Sequence, residues 1–290
     1  MTEPVASREP EISHADFERF SDFFYRKTGI VFDQGKRYFV DRRLQRRMSE
    51  TGHAEFDAYF GALLAGCDRP GGEMQQLINA MTINETYFYR EEYQFRCLVE
   101  SLLPDLLSRR GPDETLRIWS IPAASGEEPY SLAIYLLEHW PLLAERNVEL
   151  LASDIDTEML DLARAGLYPA RALHQLPQPL RDRYFMREAG GHRIDAMLRD
   201  AIAFSAVNVC DVESMRAWRD VDVVFCRNLL IYFDDLSRRQ AAEALYDALR
   251  PGGYICLGHA ESMSRISSLF TVRKFPDAIV YQKPIESRPR

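Results

Sequence analysis

Apolar residues recur at helical spacing through the first third of the chain. Phe17, Phe20 and Phe24 form one stripe, and Val40, Leu44 and Met48 a second at i, i+4, i+8. Phe56, Tyr59, Phe60, Leu63 and Leu64 form a third. Ser13 followed by Asp16 predicts a helix start, because the hydroxyl accepts from a free backbone N–H and the acid suits the positive helix end. Residues 1 to about 10 read as a disordered tail. No strand-like alternation interrupts the helical pattern before about Glu100. It therefore predicts a helical N-terminal domain over 11–80, with its last helix ending near Ile78, then a linker and connecting helix over 81–115.

From Leu116 the pattern changes. LRIWS reads as a short strand, IPAASGEEP as a small-residue turn, and YSLAIYLLEHW as a helix that tolerates Pro129 in its first turn. VELLASD is a second strand and DTEMLDLARAG a helix stopped by Gly166. IAFSAVNV, VDVVFCRN and GYICLGH are further strands. LSRRQAAEALYDALR is a helix closed by Pro251-Gly252-Gly253, and FTVRKF with AIVYQK reads as a hairpin. Strands alternating with helices predict a mostly parallel α/β sheet covered on both faces, over 116–283. One segment departs from the alternation: RYFMR and HRI flank Gly190-Gly191, which predicts a small β-subdomain inserted at about 170–200.

Composition narrows the class. At 290 residues and 46% apolar, the chain is long enough for about two domains with full-sized cores. No apolar run reaches the roughly 18 residues of a membrane span, and the N-terminus lacks the basic start and apolar stretch of a secretory signal. The five cysteines show no CxxC spacing, so neither a disulfide framework nor a metal site is expected. Cys210, Cys226 and Cys256 lie in strand-like runs as small hydrophobes, and this usage suits a cytoplasmic protein. A net charge of −8 argues against nucleic-acid partners.

In open α/β sheets, ligands bind outside the carboxyl ends of the strands. The polar residues expected there are Ser125, Gly126, Glu127 and Glu128 after the first strand, and Asp154 and Asp156 after the second. Asn208 follows the third, and Arg227 and Asn228 follow the fourth. The first turn lacks G-x-G-x-x-G and carries acids, a poor match to a pyrophosphate. Glu127 suits an ammonium group, and an acid ending the second strand suits ribose hydroxyls. Together they suggest S-adenosylmethionine (AdoMet). Each acid singly also reads otherwise: Glu127 and Glu128 as helix N-terminal charges, Asp154 as a helix cap.

Longer strings decide between these readings. NETYFYRE (84–91), SGEEPYSLA (125–133), ASDIDTEML (152–160), RYFMR (183–187), FCRNLLIYF (225–233) and GHAES (258–262) resemble, in order, the CheR family of chemoreceptor glutamate methyltransferases. The likeness runs from about residue 15 to 283. It implies a class I, Rossmann-like methyltransferase sheet with an inserted β-subdomain, behind an all-helical domain. It implies AdoMet as methyl donor, S-adenosylhomocysteine as product, and no metal. By position it places Asn84, Thr86, Arg90, Glu127, Asp154, Asn208, Val209, Arg227 and Asn228 at the cofactor, and Arg90 and Tyr232 at the reacting groups. The expected acceptors are glutamate carboxylates on cytoplasmic helices of chemoreceptors, and a monomer is expected. Another class I methyltransferase substrate, or a non-catalytic AdoMet- or receptor-binding adaptor, are the competing readings.

The chemistry is consistent with what the crevice lacks. A glutamate carboxylate, with a pKa of about 4.3, is ionised at neutral pH and needs no general base. No catalytic His or Cys-His pairing is visible in the expected crevice. What remains is alignment of carboxylate oxygen, methyl carbon and sulfur. Lys36 to Arg47 carries six basic residues and one acid, and Arg42/Arg46 and Arg43/Arg47 are i, i+4 pairs. Arg42, Arg43, Arg46 and Arg47 therefore form a strip suited to docking an acidic receptor helix. The same strip also reads as a solvated face. It has no aromatic platform for bases.

Overall fold

The structure is a computed structural model that describes residues 12–67 and 69–285, so the tail expected over the first ten residues lies outside it. Contacts divide the chain after Thr82 into a helical unit and an α/β unit.

The helical unit comprises α1 (His14–Thr28), α2 (Arg37–Glu50), α3 (Phe56–Ala65) and α4 (Glu73–Met81). Ser13 caps α1 by accepting from Asp16 N, and Gly29 ends it in the left-handed region at φ 76°. Phe17, Phe20 and Phe24 are buried, and Phe24 packs its ring 5.4 Å from Phe32. Val40, Leu44 and Met48 turn the second stripe into the same core. Burial of each such side chain contributes about 1.5–3 kcal/mol. Leu64 departs from the expected third stripe: it is 46% exposed, because the stripe on α3 is only wide enough to bury Phe56, Tyr59, Phe60 and Leu63.

In the α/β unit, α5 (Tyr93–Cys97) continues through one wide turn into α6 (Leu103–Leu107). There follow β1 (Leu116–Ser120), α7 (Glu127–His139), β2 (Val148–Asp154) and α8 (Thr157–Ala165). The inserted region carries β3 (Leu167–Tyr168), α9 (Gln178–Tyr184), β4 (Phe185–Glu188), β5 (Gly191–Ile194) and α10 (Ala196–Asp200). The sheet resumes with β6 (Ile202–Ala206), α11 (Val212–Met215), β7 (Val221–Cys226), α12 (Asp235–Ala248), β8 (Leu249–Leu257), β9 (Thr271–Lys274) and β10 (Ile279–Gln282).

Seven strands form one sheet in the order β6-β2-β1-β7-β8-β10-β9. The first five are parallel, and β10 runs antiparallel to both its neighbours. The central strand β7 is buried at every position, as a strand covered on both faces must be. Three further strands, β3-β5-β4, form a small antiparallel sheet.

Local departures have physical causes. β3 joins the expected hairpin as a third strand, held by Leu167 opposite Arg193, and a two-residue strand leaves no periodicity to read. Pro251-Gly252-Gly253 lies inside β8 rather than closing α12, because the strand begins at Leu249 with an irregular register against β7. A Cβ at Gly253 would stand 3.0 Å from the carbonyl oxygens of Arg250 and Asp222, so the strands meet there only through glycine. Cys210 is half-buried in the turn after β6, not in a strand. That strand stops at Ala206 once Asn208 accepts from Cys210 N. Cys226 and Cys256 lie in strands and are buried. No helix among the described residues is long and apolar enough to cross a membrane.

Candidate active site

The sheet order brings the carboxyl ends of β6, β2, β1 and β7 side by side, with the topological switch at β1. The loop after β1 is pinned across that edge. Ala123 N donates to Ser153 O (2.8 Å), and Ala124 N to Asp154 Oδ2 (2.7 Å). Gly126 opens α7 at φ 95°, and a Cβ there would stand 2.9 Å from both Ala163 and Tyr130. Only glycine lets this backbone lie so close to α8.

Besides Asp156, which is 1% exposed, two carboxylates are buried in this crevice. Glu127 is 4% exposed and accepts from Ser125 Oγ at 2.7 Å. Burial pushes its carboxyl up, against the opposing pull of that hydroxyl. Asp154 is 3% exposed, and its Oδ1 accepts from Asp156 N at 2.9 Å. Burial pushes it up to about 6, with the backbone donors opposing. Among the described residues neither acid has an ion-pair partner. The helix cap read as the alternative for Asp154 belongs to Asp156, which accepts from Met159 N (3.1 Å) and from Asn84 Nδ2 (2.8 Å).

That last bond is one of several that lay the linker 83–92 over the crevice. Phe88 N donates to Ala172 O (2.9 Å), and Tyr89 N to Ser131 Oγ (2.9 Å). Thr86 is half-buried on this segment. Arg90 donates to Glu85 O (2.7 Å) and lies 5.7 Å from the centroid of the Tyr87 ring, which is in turn 4.7 Å from His174. Tyr89 (φ 62°) and Glu91 (φ 56°) are both left-handed and flank Arg90, while Ala124 and Asn228 adopt the same region across the crevice. Such conformations cost about 1–3 kcal/mol each and persist where the surroundings over-determine them.

Arg227, at the end of β7, is almost wholly internal. It donates to Glu128 Oε2 (2.7 Å) and Arg90 O (2.6 Å), and stands 3.3 Å from Glu91. Its side chain thus fixes the linker, leaving Asn228 as the member of that pair only half-buried. Tyr232 is half-buried on the turn Leu230–Tyr232. Burial pushes its phenol up, and the charge of Arg90 acts to lower it, so the two groups share one side of the crevice. Asn208 is half-buried after β6, its Oδ1 accepting from Cys210 N (3.0 Å), with Val209 buried beside it.

Residues 84–279 match the CheR methyltransferase SAM-binding domain, and residues 15–82 match the CheR methyltransferase all-alpha domain. The chain belongs to the CheR methyltransferase family. Similar CheR-family relatives include chemotaxis protein methyltransferase 2 of Vibrio cholerae, 48% identical over 274 residues and 94% of each chain. Chemotaxis protein methyltransferase 2 of Pseudomonas aeruginosa is 38% identical, over 91% of this chain and 92% of the relative. The chemotaxis protein methyltransferase of Escherichia coli is 35% identical, over 94% of this chain and 91% of the relative.

The crevice fits the cofactor of a CheR domain. A buried carboxylate with no internal cation is costly unless an external partner completes it. Glu127 and Asp154 are two such groups, suited to an ammonium and to a pair of hydroxyls. Sequence reasoning missed Glu91 and the Glu128–Arg227 pair, because their partners lie far apart in the chain. It also missed Glu261, whose only signal was its place in GHAES.

The arginine strip of the helical unit divides. Arg43 donates to Ala80 O (2.7 Å) and packs over Phe39, while Arg47 pairs with Glu73 (2.6 Å) and Glu50. Those two are spent within the unit. Arg42 is exposed, as is Arg46, which pairs with Glu50 at 2.8 Å.

Proposed function

We propose that this protein transfers the methyl group of AdoMet to glutamate side-chain carboxylates of chemoreceptors, giving methyl esters and S-adenosylhomocysteine. The observation that carries this reading is a cation and a phenol, Arg90 and Tyr232, on one side of the cofactor crevice. That pair suits an anionic acceptor better than a neutral amine. The chemotaxis methyltransferases among its relatives support the same reading.

In this reading Glu127 holds the methionine ammonium and Asp154 the ribose hydroxyls. Asn208 and Val209 border the adenine, and Asn84, Thr86 and Asn228 complete the contacts. Arg227 serves through its backbone and through its grip on the linker. Bound AdoMet supplies an electrophilic methyl group on a sulfonium. The acceptor carboxylate is already ionised, so the protein's task is alignment. Tyr232, a neutral phenol at physiological pH, donates to one carboxylate oxygen and leaves the other to attack. Arg90 orients the same group. Both act on geometry rather than by moving protons, because too strong a grip on the ground-state charge would raise the barrier.

The test uses methyl-labelled AdoMet with receptor cytoplasmic fragments. Base-labile label on the receptor is the expected result. Base-stable label, or cofactor binding without transfer, overturns it in favour of another methyltransferase or an adaptor. Arg90→Ala is expected to lower kcat about 100-fold, the scale of a misplaced reacting group, with AdoMet affinity within about threefold.

Receptor docking is assigned to the outward part of the α2 strip. Arg42→Glu with Arg46→Glu is expected to raise KM for the receptor fragment about tenfold at low salt and to leave kcat unchanged. The effect shrinks as salt is added. An unchanged KM at low salt removes the strip from docking.

A further inference from the structure

We propose that Glu261 is a positioning residue for Tyr232, an inference that rests on the reading of Tyr232 above. Glu261 lies beyond β8, on a different loop from the tyrosine, yet its carboxylate is the point on which the tyrosine's loop is wound. Oε2 accepts from Asn228 N (2.8 Å) and Gly258 N (2.9 Å), and Oε1 accepts from Leu230 N (2.8 Å). The nearby backbone amide of Ile231 acts in the same direction, opposing the upward push of burial on this carboxyl. Two of these three donors, Asn228 N and Leu230 N, come from the short segment that leads into the tyrosine's turn, so backbone amides enclose the anion as a nest does. Among the described residues Glu261 has no ion pair. Peptide dipoles alone balance it.

The nest determines where Tyr232 goes. Asn228 takes φ 59°, reversing the chain as it leaves β7. Leu230 and Ile231 then start the single turn that ends at Tyr232, with Tyr232 N donating to Leu229 O (3.1 Å). A turn this short has little stiffness of its own. Its orientation comes from the amides that the carboxylate collects. Gly258 completes the device: a Cβ there would stand 2.7 Å from Asn228 Nδ2 and 3.0 Å from Glu261 Oε2. The loop after β8 must be bare at that point for the carboxylate to reach across.

Glu261→Gln keeps size and shape but turns one acceptor oxygen into a donor that faces other donors. The turn must shift, and Tyr232 with it. The experiment compares wild type, Glu261→Gln, Tyr232→Phe and the double variant, by initial rates of methyl transfer to a receptor fragment and by calorimetry of AdoMet binding. Glu261→Gln is expected to lower kcat about 30- to 100-fold, the scale of an ångström-sized misplacement, with AdoMet Kd within about threefold. The double variant is expected to be no slower than the slower single variant, since both changes remove the same contribution. Glu261→Asp, which keeps the charge, recovers part of kcat.

The outcomes separate the two claims. Tyr232→Phe with wild-type kcat overturns the reading of Tyr232 itself. A slow Tyr232→Phe beside an unaffected Glu261→Gln, or a double variant whose losses multiply, overturns the role of Glu261 alone.

Discussion

Asp154→Ala is expected to weaken AdoMet binding about 100-fold or more by calorimetry, equivalent to some 2.7 kcal/mol. The effect has two sources. The carboxylate is 3% exposed and already accepts from Ala124 N and Asp156 N, so alanine leaves both donors without their partner. Each buried donor left unpaired costs about 1–3 kcal/mol. The loop after β1 also loses the bond that holds Ala124 at φ 45°. Beyond that damage, the ribose hydroxyls lose the acceptor that the proposed site gives them.

The same residue predicts a pH dependence. Burial raises Asp154 to about 6 from an ordinary value of 3.8. A raised folded value means the group's contribution to stability is complete below about 3.8 and is lost as pH rises through 6. At neutral pH the cofactor-free fold therefore carries an ionised acid that it holds at a cost. Incoming hydroxyl donors favour that ionised form, so they compete with the proton. AdoMet affinity is expected to be flat above about pH 7 and to fall as pH drops through 6, with the step absent in Asp154→Asn. An alanine variant that binds within threefold of wild type removes Asp154 from the cofactor site.

What was legible in the sequence is what is local. The Ser13 cap, the Gly166 stop and the three apolar stripes depend on neighbours within a few residues, and the structure places them where the pattern implied, apart from the end of the third stripe at Leu64. The two buried acids were legible for a related reason: Asp154 ends β2 and Glu127 opens the helix after β1, places that the alternation of strand and helix fixes whatever surrounds them. The contacts that hold the linker against the end of β7 were not legible. Arg227 meets Glu128 across 99 positions and Arg90 O across 137, and no periodicity encodes a pair so distant. The arginine strip shows the complementary failure. Spacing put four arginines on one side of α2, but whether a guanidinium faces water or a neighbouring carbonyl depends on α4, which packs against it. Family resemblance supplied Asn84, Arg90 and Tyr232, which composition and spacing alone left ambiguous between site and surface.

The second large effect is on stability. Arg227→Met is expected to lower the unfolding free energy by about 3–5 kcal/mol, because it strands Glu128, a carboxylate that burial already disfavours, and takes a cation from Glu91. Arg227 is 2% exposed, and Glu128 and Glu91 are nearly as enclosed. Burial pushes the Glu128 carboxyl up, and Arg227 is the largest influence opposing it. Without the guanidinium that opposition vanishes and Glu128 rises further. By the sign rule for a raised acid, the variant's deficit is greatest at neutral pH and narrows as pH falls toward the value at which Glu128 takes up a proton. Urea melts at pH 7.5 and 5.5 measure both quantities, with the melting temperature at neutral pH down by about 10 °C. Glu128→Gln placed in the Arg227→Met background removes the stranded charge while keeping an acceptor for Ser120 Oγ, 2.8 Å away in the wild type. It is expected to restore roughly half of the lost stability but little of the lost turnover. Stability follows the charge balance around Glu128. Turnover follows the hydrogen bond to Arg90 O, which no substitution at 128 replaces. A pH-independent deficit below about 1 kcal/mol would place the cluster among the weakly coupled surface pairs and free Arg90 from its hold.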